Sequence, residues 1–208
     1  MLQSGLCSNR LIYIRPEMNM PLRVTENELH GVLIIEQQVF PDERGFFMET
    51  HNQDCCADAD LNVTFLQDKH SHSKKGVLRG LHYQLNHPQG KLVFVITGEI
   101  FDVAVDIRHG SKTFGKWTGV ILSADNHKQI YIPAGFAHGF CVLRDFADVI
   151  YKCTDVYHPG DDYGILWSDE TIAIDWPIKD NLIISEKDAK NSTLAALADH
   201  LLSEYRLK

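Results

Sequence analysis

From residue 22 onward the chain reads as a train of short β-type runs, none longer than eight residues before a turn former interrupts it. The runs fall at residues 32–36, 46–50, 63–67, 91–95, 100–107, 117–123, 129–132 and 148–154. Between them stand Pro41-Asp42, His87-Pro88-Gln89-Gly90, Thr97-Gly98, His109-Gly110-Ser111, Ala124-Asp125-Asn126 and Pro133-Ala134-Gly135. Parallel strands need long crossovers, so reversals this close together imply antiparallel pairing. Residues 101–107 alternate apolar Phe101, Val103, Val105 and Ile107 with Asp102, Ala104 and Asp106, which predicts one buried and one polar face. Helical signal is confined to the flanks. Leu194, Leu197, Leu201, Leu202 and Tyr205 recur at helical spacing, and Ser185-Glu186-Lys187-Asp188 has the form of a capping box that would start that helix. A weaker helical stretch covers residues 53–60.

Eight or more short strands in a chain of 208 residues predict one mainly β domain over residues 21–208. The expected architecture is a cupin-like double-sheet jelly roll with a short C-terminal helical segment and a mouth wide enough for a small molecule. Residues 1–20 lack periodicity and read as an extension with no assigned role. A net charge of −8 argues against a general nucleic-acid binder, whose phosphate contacts need clustered cations, so any anionic ligand must be met locally. Neither a secretory signal nor an 18-residue apolar run is apparent, and no membrane partner is expected. Five cysteines (Cys7, Cys55, Cys56, Cys141, Cys153) without a C-x-x-C pair fit a reduced, cytoplasmic setting.

Several constellations carry chemistry. Pro133-Ala134-Gly135-Phe136-Ala137-His138 matches the P-x-G-x-x-H motif of cupin barrels. The companion motif supplies a His-x-His pair, but here Gln84 follows His82, so that metal set is incomplete. His70 and His72 share a strand face and, with His138, form an alternative three-nitrogen metal site. Arg79 and His82 point to opposite faces of a regular strand; Gly80 between them marks a bulge that would bring both to one cavity. Otherwise His82 is a buried structural histidine. Arg44 and Lys91 flank turns at strand ends and, with Arg79, could bind a diphosphate, or else are solvated surface cations. Tyr151 is a core aromatic or a phenol aimed into a cavity, and Asp188 is at minimum the N3 residue of a helix cap. No nucleotide fingerprint or nucleophile elbow is present.

Taken together, residues 40–47, 65–71, 76–84, 89–91, 101–108, 132–140 and 185–189 closely resemble the dTDP-4-dehydrorhamnose 3,5-epimerases, in one register from about Leu22 to Ala189. The resemblance implies a cofactor-independent, metal-free, homodimeric enzyme acting on dTDP-4-dehydro-6-deoxy-D-glucose. By that resemblance His82 is the base, Asp188 orients and charges its imidazole, Tyr151 donates a proton across the ring, and Lys91 neighbours the developing oxyanion. Arg44, Glu49, Gln67, Arg79, His138 and Lys187 resemble contacts to sugar, diphosphate and nucleoside, and Tyr157 the aromatic that stacks on thymine. Lys69 stands where the family usually has Asn, and Asp162 where a Glu is common. Residues 22–36 are long enough to add a strand to a partner's sheet. The alternatives are an epimerase inverting only C3 or only C5, a metal-dependent cupin enzyme, and a silent sugar-nucleotide-binding barrel.

Overall fold

The computed structural model describes residues 12–13, 23–58, 61–197 and 202. The strands are β1 (Ile12–Tyr13), β2 (Arg23–Glu26), β3 (Leu33–Glu36), β4 (Val39–Asp42), β5 (Gly45–Met48), β6 (Gln67–Lys74), β7 (Val77–Gln84), β8 (Lys91–Thr97), β9 (Glu99–Asp106), β10 (Trp117–Ser123), β11 (Lys128–Ile132), β12 (Phe136–Val142), β13 (Phe146–Cys153), β14 (Asp162–Gly164) and β15 (Ile183–Ile184). Two short α-helices are α1 (Gln53–Asp58) and α2 (Glu186–Ala189). One sheet runs β1-β2-β3-β11-β8-β13-β6 and the other β10-β9-β12-β7-β14; β4 and β5 form a separate hairpin. Among the described residues the strands pair antiparallel except where β15 lies parallel to β7, and an isolated parallel bridge joins Ile165 and Ser192. This is the mainly β, cupin-like double-sheet arrangement that the spacing of turns predicts.

Alternation along the strands divides the apolar residues into three layers. Between the sheets lie Val93, Val95, Ile100, Ala104, Ile130, Ile132, Phe136, Phe140 and Val149, all buried. The outer face of the six-stranded assembly carries Leu78, Leu81, Val103, Val105, Ala137 and Cys141, covered by Ile172, Trp176 and Leu194 from the C-terminal segment. The outer face of the seven-stranded sheet carries Ile35, Leu92 and Tyr131 beneath Cys56 and Leu61. At about 1.5–3 kcal/mol for each large aliphatic side chain removed from water, every layer contributes substantially to stability.

The structure corrects three expectations. Both faces of β9 are buried: odd positions lie under the C-terminal segment, and even positions, Asp102 and Asp106 included, face the barrel interior at 0% exposure. The proposed strand at 63–67 is an unpaired run whose alternating Leu61, Val63 and Phe65 pack on the outer face of the sheet; pairing begins at Gln67, the first residue of β6. The capping box starts only the single turn α2, after which Ser192 bridges Ile165 and a short 3₁₀ turn covers Leu194–Ala196. Leu194 and Leu202 are pinned on the sheet rather than presented on a continuing helix, and Leu201 and Tyr205 lie outside the described residues. Within the chain, residues 23–36 form the β2–β3 hairpin, with β3 paired to β11. The helix at 53–60 is α1, its last two expected positions lying outside the described residues, as does most of 1–20. Among the described residues no helix is long and apolar enough to cross a membrane.

Candidate active site

The inward positions of β7 switch parity at a bulge. Phe140 lies opposite Arg79 and His138 opposite His82, so three steps on β7 face two on β12. Gly80 (φ +127°) permits this, and its neighbourhood demands glycine: a Cβ there would sit 2.5 Å from Gly139 Cα and 2.9 Å from His138 O. The extra residue turns Arg79 and His82 to the same side, and both line one cavity between the sheets. Lys69 (β6), Lys91 (β8), His138 and Phe140 (β12), Tyr151 (β13), Tyr157 and Asp162 also line it, with Gln84 and Gln89 among others. The residues come from both sheets, with His82 and His138 on one and Tyr151, Lys91 and Lys69 on the other.

Behind His82 stands Asp188. His82 Nε2 and Asp188 Oδ1 are 2.6 Å apart, and Gly80 N–H donates to Asp188 Oδ2 at 3.3 Å. Burial alone would raise the Asp188 carboxyl, but the His82 hydrogen bond and charge, with the Gly80 and Ser185 bonds, outweigh it and hold it below its ordinary value. An ionised Asp188 fixes the shared proton on Nε2 and leaves Nδ1 with its lone pair. Ser185 Oγ accepts the Asp188 N–H at 3.0 Å, so the cap is real, and the Asp188 carboxylate makes its strongest contact with His82.

A second imidazole–carboxylate pair sits one strand over. His138 Nε2 lies 2.8 Å from Asp102 Oδ2 inside the barrel. Burial lowers the His138 pKa despite Asp102, so this ring is neutral where it meets the cavity. Lys91 is 9% exposed, and burial brings its ammonium down to about 8, against the raising influence of Cys153 and with further lowering by Lys69. At neutral pH it still carries its charge in a dry wall. Burial also raises the Tyr151 phenol, keeping it protonated.

At the rim, Tyr157 OH donates to Asp162 Oδ2 at 3.0 Å, Lys187 Nζ pairs with the same carboxylate, and Gln67 Oε1 accepts the Tyr157 N–H at 3.1 Å. Lys69 Nζ lies 4.9 Å from the Tyr157 ring centre and 5.9 Å from that of Tyr151. Arg79 Nε donates to Ser73 Oγ at 3.0 Å. Arg44 and Glu49 are not brought to the cavity: Arg44 is at the β4–β5 turn, ion-paired to Asp42 with its side chain 85% exposed, and Glu49 follows β5. The three-histidine metal alternative fails on geometry. His70 and His72 point outward from β6 and both meet Asp148 Oδ1, at 2.9 and 3.0 Å, whereas His138 points into the barrel. Sequence reasoning missed Asp102, Gln84 and Gln89 as site components. Two acidic residues in a strand whose neighbours are all apolar were the available signal for Asp102.

Residues 26–196 match the family model for dTDP-4-dehydrorhamnose 3,5-epimerase. The chain is 56% identical over 168 residues to the dTDP-4-dehydrorhamnose 3,5-epimerase of Methanothermobacter thermautotrophicus, covering 80% of this chain and 91% of that one. It is 53% identical over 178 residues to the Escherichia coli K12 enzyme of the same name, covering 85% and 96%. Its fold is similar to the crystal structure of a dTDP-6-deoxy-D-glucose-3,5-epimerase from Legionella pneumophila in complex with dTDP-4-keto-L-rhamnose, with a TM-score of 0.88 and 48% identity over 89% of this chain and all of that one. Matched over four-fifths of its length by sequence and by fold, the chain belongs to the dTDP-4-dehydrorhamnose 3,5-epimerase family.

Proposed function

We propose that the protein epimerises C3 and C5 of dTDP-4-dehydro-6-deoxy-D-glucose, giving dTDP-4-dehydro-L-rhamnose, a step in making dTDP-L-rhamnose. The observation that carries the assignment is the half-buried His82, backed by the buried Asp188, facing across one cavity a protonated Tyr151 from the opposing sheet. A ketone at C4 acidifies the hydrogens on C3 and C5. His82, with Asp188 balancing the charge it acquires, removes one from a face of the ring, and Tyr151 returns a proton from the other face. The enolate that links the two steps needs a fixed cation. Lys91, held in a dry wall and charged at neutral pH, supplies it without reorganisation. No step calls for a metal or a cofactor.

Arg79, Lys69 and Lys187 are the cations for the diphosphate in a chain of net charge −8. Tyr157 is the stacking surface for thymine, oriented by Gln67 and Asp162, and His138 holds the sugar as a neutral ring. Arg44 and Glu49 act on a neighbouring subunit's site. The support is that the β4–β5 hairpin, on or beside which they lie, exposes Phe40, Phe46 and Phe47 at 39%, 59% and 67%, an apolar surface suited to a second copy of the chain. A homodimer is therefore part of the reading. So is a cytoplasmic setting, in keeping with the free, buried Cys141 and Cys153.

Incubation of the purified chain with dTDP-4-dehydro-6-deoxy-D-glucose and NMR of the product tests the proposal. Inversion at both carbons is expected; inversion at one carbon alone makes it a single-site epimerase, and an unchanged sugar removes the assignment.

A further inference from the structure

Beside the cavity, on the loops that follow β7 and β13, the side chains of His87, Asp155 and His158 converge. One ligand-type atom from each lies within 4.8 Å of the others. The rings of His87 and His158 are stacked, centres 3.6 Å apart and planes 14° from parallel, and His87 Nδ1 lies 3.7 Å from Asp155 Oδ2.

The backbones beneath these side chains are fixed by buried polar groups. Gln84, 5% exposed, donates from Nε2 to His87 O at 2.8 Å and accepts at Oε1 from the His158 N–H at 2.9 Å, so one side chain sets the spacing of both histidines. Asp161, 4% exposed, accepts the His87 N–H at 2.8 Å. Gln89 Nε2 donates to Asp155 O at 2.7 Å. Asp155 Oδ1 takes the Val156 N–H at 2.7 Å, which turns Oδ2 toward His87. The main chain is thus held by three internal side chains, while two imidazoles and a carboxylate oxygen are presented outward. Two neutral imidazoles and a carboxylate are ligands of choice for Zn²⁺, and three protein ligands leave a coordination position open.

The geometry points to a Zn²⁺-type divalent transition-metal site made by His87, Asp155 and His158, distinct from the catalytic cavity. To bind, the more exposed His87 ring turns out of the stack and aims at the point that Asp155 Oδ2 already faces. Gln84, Gln89 and Tyr157 line the cavity and also brace or neighbour these ligands, so the ion ties together two loops of the substrate rim. The outward cluster of His70, His72 and Asp148 is the natural control. There both imidazoles already spend their nitrogens on a single carboxylate oxygen.

The test is equilibrium dialysis of the EDTA-stripped full-length protein against ZnCl₂ with quantitation of bound metal. One saturable ion per chain is expected, with a rise in melting temperature that follows the free Zn²⁺ concentration. His87→Ala, His87→Gln and His158→Ala should each weaken binding at least tenfold and abolish the melting shift, while the His70→Ala/His72→Ala double variant keeps both. Binding must also weaken on acidification, because protons compete for the imidazoles. Absence of a saturable ion, binding unchanged in the His87 and His158 variants, or loss in the double variant would each overturn the assignment.

Discussion

Beyond the proposed base, the site's most consequential single residue is Asp188, since it is at once a cap residue and the partner of His82. Asp188→Asn retains an oxygen for the Gly80 N–H but removes the charge that stabilises an imidazolium. We expect kcat to fall by about 10²-fold or more with little change in melting temperature; equal activity would reduce the residue to a cap. Lys91 gives a pH signature. Its ammonium titrates at about 8 in the folded chain against an ordinary 10.5, so in the proposed mechanism the enolate loses its cation as pH rises through 8. The rate constant kcat should therefore decline above pH 8, and Lys91→Arg should move that decline upward. The same shift means the unfolded chain binds the extra proton between pH 8 and 10.5, so Lys91 makes stability rise with pH across that window. That these residues meet was partly legible in the sequence: the order of motifs placed His82, Lys91, Tyr151 and Asp188 together, but no spacing rule connects a strand at residue 82 with a helical turn at 188.

At the scale of elements, the β7 bulge is the device on which the cavity depends. Gly80→Ala introduces a Cβ 2.5 Å from Gly139 Cα at a backbone angle that L side chains rarely adopt. It should cost more than about 2 kcal/mol and disturb the facing of His82, lowering activity beyond the loss in folded fraction. Chemical denaturation together with the specific activity of the folded fraction checks both. The bulge was readable as a possibility, because a glycine inside an alternating strand has few other reasons to be there. The depth of β9 was not. Its alternating acids look solvent-facing until their partners are seen, buried His138 for Asp102 and the half-buried Arg108, Ser111 and Thr113 of the following loop for Asp106. Over the described part of the expected C-terminal helix a related reason holds: Leu194, Leu197 and Leu202 find the outer face of the six-stranded assembly, and tertiary burial overrides helical spacing through the 3₁₀ turn at Leu194–Ala196.

For the whole molecule, the carboxylates set the acid limit. Asp188, Asp106, Asp161 and Asp169 all titrate below their ordinary value of 3.8 in the folded chain, since their hydrogen bonds outweigh burial. Their contribution is fully present well above pH 3.8 and is lost as pH falls through the lower folded values. Melting should hold steady near neutrality on this account and drop steeply below about pH 4. The exposed aromatic hairpin makes the second whole-molecule prediction: light scattering should give a dimer of the 23.6 kDa chain, and Phe46→Asp/Phe47→Asp should yield monomers with impaired turnover. Turn spacing alone was enough to forecast two packed antiparallel sheets, whereas a hairpin turned away from its own barrel has no signature in hydrophobic period.

The central claim is that proton removal and proton return are done by different residues on opposite walls. Its most direct test is Tyr151→Phe with dTDP-4-dehydro-6-deoxy-D-glucose in deuterated water, following C3 and C5 by NMR. The account predicts that His82 still exchanges ring hydrogens for deuterium while inversion fails for want of the acid across the ring. Full epimerisation by that variant would contradict it.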